Sequence, residues 1–157
     1  MKMLHRLAWL LLLALPLLSL KCDDEDVIKP PQFEVTIRVI GEHLDGLGAE
    51  LSVISTRNIL NPSAGPTLSH RYTTSISQTY ALGSFGLQDR VEASVGFRNV
   101  TCSSVLRPDN DSKLLVEVLA NGIIVGRAEL TPGSSGASFV CSPYWLATTV
   151  GEGDDWD

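Results

Sequence analysis

The feature that most limits the fold of this chain is the alternation of apolar and polar residues, position by position. In "FEVTIRVI", Phe33, Val35, Ile37 and Val39 share one face, and Glu34, Thr36 and Arg38 occupy the other. Successive side chains of a strand point to opposite sides, so this pattern predicts a half-buried strand. It recurs less cleanly in "AELSVIST" (49–56). In "RVEASVGF" (90–97) it places Val91, Ala93, Val95 and Phe97 inward. "KLLVEVLANGIIVGRAEL" is the strongest local signal: two β-rich runs flank Asn121-Gly122, a pair that favours the type I′ turn of a hairpin. "ASFVCS" and "YWLATTV" supply one or two further strands near the end.

The breakers agree with this reading. "NPSAGP" (61–66), "LRPDND" (106–111) and "TPGSSG" (131–136) carry turn and loop chemistry, and "EHLDGLGAEL" reads as a loop between strands. Seven or eight short strands in about 115 residues predict an all-β chain. The expected form is a single antiparallel β-sandwich of immunoglobulin-like architecture, with Greek-key links. Membership of the immunoglobulin family is not implied. There the core tryptophan lies between the paired cysteines, whereas Trp145 follows both Cys102 and Cys141.

The N-terminal stretch has a different character. Lys2 and Arg6 precede a mainly apolar run, Leu7 to Leu20, which ends at "LLSLKCDDED". Fourteen residues suit the apolar core of a signal peptide and fall short of the roughly 20 needed to cross a bilayer. Cutting before Cys22 removes Lys2, Arg6 and Lys21, leaving nine basic residues against 18 acids. A balance this acidic, with its cations scattered, argues against nucleic acid as a partner.

"LSLKC" resembles the lipobox that closes the signal of bacterial lipoproteins. The resemblance implies that Cys22 receives diacylglycerol on its sulfur and becomes the mature N-terminus, so that a lipid on Cys22 ties the protein to a membrane. "CDDED" resembles the acid-rich export signal of surface lipoproteins of the Bacteroidota type. On that resemblance Asp23, Asp24, Glu25 and Asp26 form a sorting signal for the exposed face of the outer membrane. Asp23 also fits the inner-membrane retention rule of enterobacterial lipoproteins, but four acids in a row exceed what that rule requires. As a chain, the acids repel one another, and "KPP" (29–31) stiffens the exit toward polyproline-like geometry. Calcium binding by this run is the weaker reading, because a flexible acidic stretch is not a preorganised oxygen cage.

Three cysteines in an exported chain leave one over. Lipidation uses Cys22, and Cys102 and Cys141 are then expected to form a disulfide, with two buried thiols as the alternative. The expected organisation is a signal peptide (1–21), a lipidated acidic tether (22–32), the β-sandwich (33–150) and an acidic C-terminal tail (151–157).

The catalytic inventory is thin. Beyond the signal there are two histidines, His43 in a Gly/Asp-rich loop and His70 at the start of a strand; both read as structural or solvated. "GSFG" and "GSSG" are not the G-x-S-x-G of a nucleophile elbow, and no H-E-x-x-H, P-loop or dinucleotide fingerprint occurs. Asp109, Asn110, Asp111 and Ser112 of "PDNDS" gather oxygen ligands, but they lack EF-hand spacing and read as a solvated turn. No metal, cofactor or catalytic residue is assigned. In "HRYTTSISQTY" (70–80), Tyr72, Thr74, Ile76, Gln78 and Tyr80 fall on one face. Arg71, Thr73, Ser75, Ser77 and Thr79 form a hydroxyl-rich row on the other, read as the wet side of an outer strand. Tyr144 and Trp145 are a candidate ligand surface. Adjacent strand residues diverge, so a flat sugar platform needs a bulge.

The leading expectation is a lipid-anchored, non-enzymatic binding or structural module whose partner is a glycan or an envelope protein. The alternatives are a carbohydrate-binding accessory lipoprotein, an enzyme with an unrecognised site, and a secreted eukaryotic β-sandwich. The last would give meaning to the sequons "NVT" (99–101) and "NDS" (110–112).

Overall fold

Phe33, Val35, Ile37 and Val39 all turn into the core along β1 (Gln32–Glu42), as the alternation requires. The computed structural model describes residues 29–100, 106–132 and 145–156, and of Trp145, Leu146 and Asp154 the backbone alone. The other strands are β2 (Ala49–Arg57), β3 (Ser63–Tyr72), β4 (Ile76–Gly86), β5 (Arg90–Phe97), β6 (Lys113–Ala120), β7 (Ile123–Leu130) and β8 (Trp145–Glu152). They form two four-stranded antiparallel sheets, ordered β4-β1-β6-β7 and β3-β2-β5-β8. The chain is an all-β sandwich. Only β2–β3 and β6–β7 are consecutive neighbours within a sheet; every other connection between these eight strands changes sheet. An immunoglobulin constant domain keeps its first two strands side by side. Here β1 and β2 lie in opposite sheets, so the architecture is shared and the connectivity is not.

Ala49, Leu51 and Val53 of β2 and Val91, Ala93, Val95 and Phe97 of β5 face Leu114, Val116, Val118 and Ala120 of β6 across the core. The β6–β7 hairpin turns at Asn121 (φ 49°) and Gly122 (φ 84°), the paired positive φ values of a type I′ turn. This turn is also fastened to β1. Asn121 N donates to Glu34 O (2.9 Å), and Glu34 N donates to Asn121 Oδ1 (2.9 Å).

Three expectations change. First, 70–80 is not one strand: β3 ends at Tyr72, the chain turns, and β4 begins at Ile76 in the other sheet. The hydroxyl row therefore divides, with Arg71 on one sheet and Ser77 and Thr79 on the other, and His70 lies near the end of a strand, not its start. Second, β3 begins at Ser63, inside the stretch expected to be loop; Pro66 is accommodated because β3 is an edge strand. Third, the acidic segment from 151, expected as a tail beyond the sandwich, is joined to it through residue 156. β8 runs through Glu152, and a 3-10 turn (Gly153–Trp156) carries Trp156 into the core, 3% exposed, beside Phe33 and Phe85 (ring centroids 6.2 and 6.1 Å away).

Register sorts the loops to two ends. Gln32 pairs Gly86, Thr56 pairs Arg90, and Arg90 pairs Glu152. The N-terminal entry, the β2–β3 and β4–β5 turns, the Asn121-Gly122 hairpin and the C-terminal turn thus share one end. Gly41 pairs both Ile76 and Leu114, and Ala49 pairs both Tyr72 and Phe97. The segments after β1, β3 and β5 and before β6 therefore share the other end.

Candidate functional site

Leu44 and Leu47 decide the shape of the end far from the N-terminus. Both are buried, and they pull the β1–β2 connection onto the core as a tight turn in which Leu47 N and Gly48 N donate to Leu44 O (3.0 Å each). His43 (φ 51°) and Gly46 (φ 75°) take the left-handed conformations this turn requires, leaving the His43 and Asp45 side chains exposed. The segment before β6 packs against the turn. Ser112 is 1% exposed; its hydroxyl accepts from Asp109 N (3.1 Å) and lies within donating distance of Asp109 Oδ1 (2.9 Å) and His43 O (3.2 Å).

Between the two segments lies an open groove of about 130 Å³, lined by His43, Asp45, Leu47, Leu106, Arg107, Asp109 and Ser112. Its lining is mainly polar and holds cationic and anionic groups together. The Asp109 carboxyl is held below its ordinary value, first by its hydrogen bond with Ser112; desolvation opposes this, and the Asp111 and Ser112 amides and the charge of His43 add to the lowering. Such a groove is sized for one polar side chain or a small polar group of a ligand, held by charge and hydrogen bonds.

The "PDNDS" oxygens are used locally. Asp109 Oδ1 accepts from Asp111 N (3.0 Å) and lies in hydrogen-bonding distance of the Ser112 hydroxyl, which is the turn chemistry expected. Among the described residues no group of three His, Cys, Asp or Glu is placed to hold a metal ion. Asn99, the first sequon asparagine, donates Nδ2 to Gly46 O (2.8 Å), so the atom a glycan would occupy holds the turn after β1.

A second polar cluster bridges the open edges of the two sheets. His70 of β3 stacks on Tyr80 of β4 (4.5 Å between centroids), the Tyr72 and Tyr80 hydroxyls are 2.8 Å apart, and Tyr80 donates to Gln78 Oε1 (2.8 Å). Burial, then the hydrogen bond with Tyr80, drives the Tyr72 phenol well above its usual range. These hydroxyls engage one another, which suits a brace between sheets better than a ligand platform.

The sequence-predicted site residues Cys22, Asp23, Asp24, Glu25, Asp26, Cys102, Cys141 and Tyr144 lie outside the described residues. The backbone of Trp145 opens β8 opposite Phe97. Sequence reasoning missed the groove because it joins two segments about sixty positions apart; the apolar pair Leu44 and Leu47 in an otherwise polar loop was the available signal. No protein-family model, curated protein or solved structure matches this chain.

Proposed function

We propose that this chain is a lipid-anchored bacterial envelope protein, held in the outer membrane through Cys22, whose β-sandwich is a non-enzymatic binding module displayed at the cell surface. The observation that carries the reading is directional. Cys22 lies ten residues before Gln32, where β1 enters the sandwich at one end, and the mixed-charge groove lies at the opposite end. An eleven-residue strand is about 35 Å long, so a tether at Cys22 holds the groove that far above the end nearest the bilayer. The groove does gather His43, Asp109 and Ser112, but the Ser112 hydroxyl is buried and engaged with Asp109 and with His43 O, which favours recognition of a polar group on an envelope protein or glycan over catalysis. Sugar stacking would rest on Tyr144 and Trp145, whose side chains lie outside the described residues.

The test is made in the native host. Cys22→Ser should abolish acyl labelling and release the protein from membranes, and wild-type protein without lipid by mass spectrometry would overturn the anchor. Replacing Asp23, Asp24, Glu25 and Asp26 together by alanine should keep the lipid and reduce protease accessibility on intact cells. Unchanged accessibility would remove the sorting role.

A further inference from the structure

The exposed apolar side chains are unevenly distributed. Among the described residues, seven large apolar side chains are exposed: Ile54, Ile59, Leu60, Leu87, Leu106, Ile123 and Ile124. Five of these lie at the N-terminal end: Ile59 and Leu60 on the β2–β3 turn, Leu87 on the β4–β5 turn, and Ile123 and Ile124 as the first residues of β7, directly after the Asn121-Gly122 turn; Leu106 is at the opposite end and Ile54 is within β2. Leu60 and Ile123 are the most exposed, at 77% and 66%. Isolated apolar residues on a surface need no explanation, but placement on or directly beside three separate turns at one end does.

These turns rest on a rigid base. Ile59 N donates to Gln88 O (2.7 Å), joining the β2–β3 and β4–β5 turns, and Asn58 N donates to Asp89 Oδ1 (2.9 Å). Asn121 ties the third turn to β1. The apolar groups are therefore held outward by hydrogen bonds beneath them. The same end receives the chain from Cys22, and ten residues reach at most about 35 Å when fully extended.

We propose that this end of the sandwich faces the bilayer that holds the anchor, with Leu60 on the β2–β3 turn and Ile123 at the start of β7 reaching into its interfacial layer. The inference rests on the reading of Cys22 as a lipid attachment point. Apolar side chains buried at the headgroup boundary gain the free energy that drives interfacial binding. The tether keeps the domain within reach, so few such contacts suffice to orient it. Contact at this end leaves the groove pointing away from the membrane. At the same end Arg57 pairs with Asp89 and Arg90 with Glu152, and Asp155 adds a further acid, which gives no pull toward a strongly anionic surface, so the fitting lipid is zwitterionic.

The test uses the acylated full-length protein in phosphatidylcholine vesicles containing brominated chains. Leu60→Trp, Ile123→Trp and the control Leu106→Trp are compared after subtracting the parent protein's own fluorescence. Quenching at positions 60 and 123 should exceed that at 106 by about twofold or more, with a blue-shifted emission. Equal quenching at all three positions in acylated, vesicle-bound protein overturns the proposal and leaves the anchor standing. Absence of lipid on Cys22 overturns both. Concentration-dependent burial of positions 60 and 123 in detergent, with no response to brominated lipid, overturns it in favour of a second copy.

Discussion

Asp89 collects an unusual share of the bonds at the N-terminal end of the core. Its carboxylate accepts from Arg57 Nη1 (2.6 Å), Gly86 N (2.9 Å) and Asn58 N (2.9 Å), and its carbonyl accepts from Trp156 Nε1 (3.3 Å). The Arg57 guanidinium also lies over the Phe85 ring, 3.9 Å from its centroid. Burial pushes the Asp89 carboxyl up, but the amides of Gly86 and Asn58 and the charge of Arg57 together hold it below its ordinary value. A depressed folded value means the stabilisation is complete above the unfolded value near pH 4 and is lost as pH falls through the lower folded value. Asp89→Asn should therefore cost about 1–2 kcal/mol at neutral pH, and the gap to wild type should narrow at pH 3 and below. Urea unfolding at both pH values checks this; a gap independent of pH would refute the assigned cause. This residue was not legible in the sequence, because Arg57 and Asn58, which it holds, lie more than thirty residues away. Neither was Glu117, 1% exposed on an outer sheet face: alternation places it outward, but Arg38 and Arg127 on the flanking strands lie over it and pair with it.

At the scale of elements, two glycines of the β6–β7 hairpin separate local from tertiary cost. A methyl group on Gly122 would meet nothing within 4 Å, but φ is +84°, so Gly122→Ala should cost about 1 kcal/mol from backbone strain. A Cβ on Gly126 would lie 2.7 Å from Thr149 Oγ1 and 2.9 Å from Val150 O. Gly126 is where β7 and β8, the last strands of the two sheets, come closest, and the backbone of β8 cannot rotate away as a side chain can. Gly126→Ala should cost about 2–3 kcal/mol by forcing that seam apart. Chemical denaturation of both variants tests the ordering, and equal costs would show that the seam yields freely. The hairpin itself was legible because its turn chemistry and alternation agree. The break at 73–75 was not, because Tyr72 and Ile76 both face inward, so the period of two passes through the corner unbroken. In β4 the register shifts opposite Val35/Thr36 beside Gly83 (φ 92°), moving the buried positions from Leu82 to Phe85. A simple alternating template misses that bulge.

For the whole molecule, the sequence specified two inward faces and the turns that punctuate them, but not which strands neighbour one another. The groove depends on that neighbour relation, since it arises only when the turn after β1 meets the segment before β6. The same relation bears on the cysteines. Phe97 pairs with Trp145, so the chain leaving β5 and the chain entering β8 start side by side at the far end. Cys102 follows Phe97 by five residues and Cys141 precedes Trp145 by four, and both cysteines lie outside the described residues. A disulfide needs Cα atoms within about 7 Å, and we propose the pairing on the ground of export and of the use of Cys22 by lipid. The bridge would close a loop of about 40 residues and stabilise the domain by up to roughly 4 kcal/mol in the chain-entropy model. Reduction should lower the unfolding midpoint while leaving the β-sheet circular dichroism of the native state intact, and Cys102→Ser/Cys141→Ser should behave like the reduced protein. Non-reducing peptide mapping of oxidised, folded protein decides it. A linked peptide pair containing residues 102 and 141 is the expected result; two free thiols would refute the bridge and reopen the cysteine count that assigns Cys22 to lipid.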